Sequence, residues 1–125
     1  GLGAPSIVAV GSVTAQTTAA GNIALYTVGA SDGTFEVGGW VLVTAYAAGT
    51  INLQVAWTDE SNTARTMNME SPYTNTFIIN IAAANPYPMA TLTIRAKAGT
   101  TISFATSGTF TTITYNARGI IKQIE

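Results

Sequence analysis

The chain has 125 residues, of which 47% are hydrophobic and only 9% are charged, for a net charge of −1. Typical soluble domains carry roughly 25% charged residues, so no basic stripe for nucleic acid exists here and the low-charge, apolar balance excludes intrinsic disorder. There is no histidine and no cysteine, which removes the commonest general base, the usual zinc ligands, every thiol nucleophile and every disulfide.

At 12.9 kDa the whole span 1–125 reads as one domain with enough chain to bury a core. No stretch reaches the roughly 18 unbroken apolar residues of a membrane helix, and no basic start precedes an apolar run, so neither membrane insertion nor a signal peptide is expected. The opening Gly1 in place of Met points to a processed product or a piece of a longer chain.

In chain order, strand-like residues cover Ser6 to Thr18 and then Asn22 to Val28, which the Gly29-Ala30-Ser31-Asp32-Gly33 turn closes. The longest run, Thr34 to Ala47, stops at Ala48-Gly49. Ile51, Leu53, Val55 and Trp57 then alternate with polar or small residues, the pattern of a half-buried antiparallel strand. Thr58 to Asn62 reads as a hairpin loop and Thr63 to Glu70 as the returning strand. Thr76 to Ala82, Ala90 to Ala98, Thr101 to Thr106 and Thr112 to Ile124 follow, with a turn at Ser107-Gly108. A helical turn is suggested only at Ala82-Ala83-Ala84. The total of about eight to ten short strands predicts an all-β antiparallel sandwich or jelly roll.

Two runs are apolar on both faces. Phe35, Val37, Val41, Val43 and Ala45 share one face of their strand, while Trp40, Leu42 and Tyr46 share the other. In the last strand Ile113, Tyr115, Ala117 and Ile121 oppose Ile120 and Ile124. One face fills the core, and the second needs cover, for which another copy of the chain is the favoured candidate. A bulge near Gly38-Gly39 and Gly119 that resets the phase is the alternative.

A series of short pieces in order carries a family resemblance. Asp32-Gly33-Thr34-Phe35 opens a long strand, Gly49-Thr50-Ile51 opens the next, and Trp57-Thr58-Asp59-Glu60 follows. Ala98-Gly99-Thr100-Thr101-Ile102, the Gly108 turn and Tyr115-Asn116 then lead into Ile121-Lys122-Gln123-Ile124-Glu125. Over residues 23–125 the chain resembles the jelly-roll domains of tumour-necrosis-factor-like shape in tailed-phage virion proteins, such as fibre or needle knobs, head fibres and decoration proteins. The resemblance implies a homotrimer with Tyr115, Ala117 and Ile121 near the threefold axis, beside one face of the Phe35 to Ala47 strand. It also implies a virion location, other virion proteins as partners, one of three roles (binding a host surface glycan, capping a fibre or decorating a capsid), and no catalytic residues or cofactor. The expected interface is therefore Trp40, Leu42, Tyr46, Tyr115, Ala117 and Ile121.

Other candidate sites are weaker. Asp59-Glu60-Ser61-Asn62 is the densest polar cluster, but it lacks the glycine and the distal bidentate glutamate of a calcium loop and is expected to be a solvated hairpin loop. Asp32 and Glu36 would stand about 13 Å apart at roughly 3.3 Å per strand residue, too far for a glycosidase pair. Asp59 with Glu70 stays open. Gly38-Gly39 lacks the Lys-Ser/Thr pair and helix of a phosphate loop. For a sugar ligand, Tyr73 with Asn75 and Asn85 with Tyr87 place aromatic faces beside amides in loops, whereas Trp40 and Trp57 lie in strand runs and are assigned to core or interface. Two readings compete: a trimeric, non-enzymatic virion module, and a carbohydrate-binding or adhesin module of a bacterial surface protein.

Overall fold

The computed structural model describes residues 5–69, the backbone of 86–88, and 90–125. Its strands are β1 (Ser6–Gln16), β2 (Leu25–Thr27), β3 (Gly33–Thr58), β4 (Ala64–Asn68), β5 (Pro86–Pro88), β6 (Leu92–Ala96) and β7 (Thr101–Gln123). All pairings between them are antiparallel. Among the described residues no helix is long and apolar enough to cross a membrane. The expected strand Thr76 to Ala82 and the turn at Ala82 to Ala84 lie outside the described residues.

The frame is one long ladder between β3 and β7, from Phe35 opposite Gln123 to Ala56 opposite Ser103. It folds over itself at its middle, which makes two facing layers of a jelly-roll sandwich. In the first layer the early half of β3 and the late half of β7 are flanked by β1 on one side and by β5 and β6 on the other. In the second, the late half of β3 and the early half of β7 are flanked by β4 and β2.

The turns expected at Ala48-Gly49 and Ser107-Gly108 are therefore not chain reversals. β3 and β7 run through them without a break, and the ladder shifts register three times between Val43 and Thr50. Gly49 (φ 133°) and Gly108 (φ 143°) sit at this bend with backbone angles that favour glycine. A Cβ at Gly108 would stand 2.3 Å from the Thr50 carbonyl oxygen, and one at Gly49 would stand 2.4 Å from that of Thr109. The same residue types that end strands elsewhere here bend two paired strands together.

Alternation supplies most of the core, with Asn52 buried between Ile51 and Leu53. Phe35, Val37, Val41 and Val43 point inward from the early half of β3, and Ile51, Leu53 and Val55 from the late half. β7 adds Ile102 and Phe104, then Ile113, Tyr115, Ala117 and Ile121. The phase is not reset at Gly38-Gly39, because the register is unbroken from Phe35 to Val43. Gly39 and Gly119 instead occupy inward positions of the alternation and lie opposite each other, with Gly11 of β1 opposite Gly119 on its other side. This row of three glycines across the first layer receives the second layer. Added Cβ atoms would stand 1.6 Å from the Ile23 carbonyl oxygen at Gly11, 2.1 Å from the Arg118 carbonyl oxygen and 3.0 Å from a Leu53 methyl at Gly39, and 2.6 Å from the Phe104 ring at Gly119.

Tyr115 ties down the segment between β1 and β2. Its hydroxyl donates to the Thr18 carbonyl at 2.7 Å and lies 2.6 Å from the Thr106 hydroxyl, which accepts from the Ala20 amide at 2.9 Å. Burial pushes the Tyr115 phenol above its ordinary pKa of 10.0. Above that pH the unfolded chain releases a proton that the folded chain retains, so this contribution to stability is lost as pH rises. Tyr115→Phe should cost about 1–2 kcal/mol at neutral pH by stranding its partners. The stability gap between wild type and variant should narrow in denaturant titrations above pH 10.0, and a gap constant with pH would contradict the buried hydroxyl network.

Candidate functional site

The acidic loop is a turn device. Asp59 Oδ1 accepts the Ser61 and Thr63 amides at 2.9 and 3.0 Å, and Oδ2 accepts Arg65 Nε at 2.7 Å. The hydrogen bond from Arg65, helped by the Thr63 amide, holds the Asp59 carboxyl below its usual range. Asn62 takes the positive φ of 63° that closes the hairpin. Among the described residues no three metal-ligating side chains converge. Asp32 and Glu36 are also in structural use: Asp32 Oδ1 accepts the Ala98 amide at 2.8 Å, and Glu36 meets Lys122 at 3.6 Å. Glu70 lies outside the described residues.

Of the tyrosine loops, Tyr73, Asn75 and Asn85 lie outside the described residues. Tyr87 belongs to β5, where its backbone pairs with Val41.

The expected interface splits. Tyr115, Ala117 and Ile121 have relative exposures of 0%, 2% and 0% within the single chain. They are its own core, not contacts for a neighbouring copy, because their face of β7 is the one that the second layer covers. Tyr46 also leans inward, packs partly on the core and donates to the Gly49 carbonyl at 3.4 Å. Leu42 is half-buried. Trp40 is 42% exposed, and the Arg118 guanidinium stands over its ring at 5.6 Å. Around it the outward side of the first layer exposes Ile7 and Val10, with Ile120 half-buried between β1 and β3. A shallow groove of about 250 Å³ runs here past Ile7, Trp40, Thr91 and Ile120, with Glu36 and Lys122 on its border.

A second cleft, of about 320 Å³, was not anticipated from the sequence. β4 and β6 are edge strands of the two layers, and the sandwich opens between them. Trp57 continues the inward face of β3 one step past Val55, opposite Arg65 on β4, with Met67 next along. Leu92 and Ile94 of β6 form the facing wall. The rim carries two ion pairs, Arg65 with Asp59 at 2.7 Å and Arg95 with Glu60 at 3.4 Å. Arg95 Nη1 also reaches Thr34 Oγ1 at 3.0 Å and Glu125 at 3.8 Å. The strand pattern identified Trp57 as inward-facing, but not that the facing layer ends before covering it. Its place beside the polar hairpin loop is the only signal for that in the sequence.

No protein-family model matches the sequence, and no curated protein matches it. Among solved structures, a chain from the capsid of the Helicobacter pylori bacteriophage KHP30 superposes at a TM-score of 0.52 and 10% identity, over 98% of this chain and 90% of that one. The VP2 subviral particle of infectious bursal disease virus gives 0.54 and 12%, over 97% of this chain and 32% of that one. The Gx strain of the same virus gives 0.56 and 12%, over 98% and 33%. These neighbours are viral capsid jelly rolls. This chain spans about a third of the bursal-disease-virus chains and nine-tenths of the phage-capsid chain. At such identities the likeness is one of fold.

Proposed function

We propose that this chain is a non-enzymatic structural module of a virion, a jelly-roll knob, fibre or decoration unit of tumour-necrosis-factor-like type. It works as a homotrimer, contacts other virion proteins and touches a host surface glycan. The observation that carries the reading is the end-to-end match to a phage-capsid chain of nearly its own length. The residue chemistry agrees with it: histidine and cysteine are absent, and Asp32, Glu36 and Asp59 are held in ion pairs or by backbone amides.

In this reading the contact between copies is the outward side of the first layer, around Trp40, Val10 and Ile120. Exposed apolar residues grouped on one face of a poorly charged chain favour association. Light scattering at micromolar concentration should return three times the chain mass of 12.9 kDa. Trp40→Ser combined with Val10→Asp should return a single chain mass with the β-sheet circular dichroism intact. A wild-type protein that stays a single chain sinks the trimeric reading and favours the competing one, a monomeric carbohydrate-binding or adhesin module.

A further inference from the structure

We propose that the cleft between β4 and β6 is a saccharide site for one or two neutral pyranose rings, with Trp57 as its stacking platform. The inference deepens the glycan contact of the proposed function and rests on that part of it. Val55 is wholly buried, whereas Trp57, two residues on along the same face, is only half-buried, with β6 the edge of the opposing layer among the described residues. A flat aromatic surface is thus left at the mouth of the core, beside Met67 and Leu92. At about 320 Å³ the space is at the small end of ligand pockets, which suits a ring or two and not a long chain.

The rim decides the ligand's polarity. Two guanidiniums and two carboxylates line it as two ion pairs, with the Glu125 carboxylate also 3.8 Å from Arg95. Among the described residues, no unmatched cation is offered to a phosphate or carboxylate, and no unmatched anion to an amine. Each guanidinium has five N–H donors, more than its carboxylate partner uses, and the Ser61 and Thr93 hydroxyls line the same cleft. An apolar wall under a ring of mixed donors and acceptors complements a molecule with a C–H face and hydroxyls along its edge. A neutral sugar ring has that form.

The chain has two tryptophans, so Trp40→Phe leaves Trp57 as the only indole. The probes are methyl α-D-mannopyranoside, methyl β-D-galactopyranoside, N-acetylglucosamine and cellobiose, with glucuronate as the charged control. Nuclear magnetic resonance of the Trp57 indole N–H, in full-length Trp40→Phe protein, should show a saturable shift with at least one neutral probe and none with glucuronate. In the same background Arg95→Gln, an exposed rim change, should weaken that binding about tenfold, in keeping with the loss of a charge-assisted hydrogen bond. Trp57→Ala, read by saturation transfer to the sugar's own protons because no indole remains, should abolish it. Silence of Trp57 toward all four neutral probes at tens of millimolar overturns the proposal, as does a response to glucuronate alone or one that Arg95→Gln leaves unchanged. A trimer with a silent Trp57 would defeat this site and leave the virion reading standing. A monomer with a responsive Trp57 would do the reverse.

Discussion

Ile121→Lys should leave no folded protein at all, not even a dissociated monomer. Ile121 is wholly buried, opposite Val37 on one side and Ala9 on the other, and its face of β7 meets the second layer. The introduced lysine would lose its hydration with no acidic partner, since the core around it is apolar. Losing the isoleucine and burying a charge together should exceed about 4–5 kcal/mol, a large share of the roughly 5–15 kcal/mol that holds a domain together. Ile121→Val should cost only about 1 kcal/mol. Ile120→Lys, one residue earlier on the outward side, should keep the fold. Circular dichroism and one-dimensional proton spectra of the three variants separate the outcomes. An Ile121→Lys variant that stays folded as a single chain would mean that another copy, and not the second layer, shields this position.

The glycine row should be nearly as intolerant. Gly119→Ala places a methyl group against the Phe104 ring near its root, which cannot swing away as a flexible chain end would. Overpacking of this kind costs about 1–3 kcal/mol per site, and Gly119→Val should lie at or beyond the top of that range. Gly39→Val/Gly119→Val, which fills both facing positions, should not fold. Phe104→Leu would withdraw the ring, so Gly119→Ala should cost less in that background than in the wild type. A double-mutant cycle by urea unfolding reads this coupling directly. Additive losses would show that the ring does not rest on Gly119. Gly21, which has open space around its absent side chain, serves as the control and should accept alanine with little change.

Alternation in Thr34 to Ala47, Ile51 to Trp57 and Thr112 to Ile124 was enough to determine an all-β fold and to group Phe35, Val37, Val41 and Val43, then Leu53, then Ile121, each on one apolar face of its strand. Side chains along a strand can only point two ways, so a period of two is written locally. The Asp59 hairpin was equally legible, because the hydrogen bonds of the Asp59 carboxylate that shape it reach no further than Arg65. Tertiary structure decided the rest. Gly49 and Gly108 read as turns when taken singly, and only their pairing across the β3–β7 ladder makes them the bend of two long strands. Tyr115, Ala117 and Ile121 read as interface residues because an apolar face does not state what covers it, and the cover came from the chain's own second layer. The exposure of Trp57 depends on where β6 lies, a segment that begins 35 residues further on at Leu92. Which face is outside, and where the sandwich is left open, depends on which distant strands meet, and no local pattern encodes that.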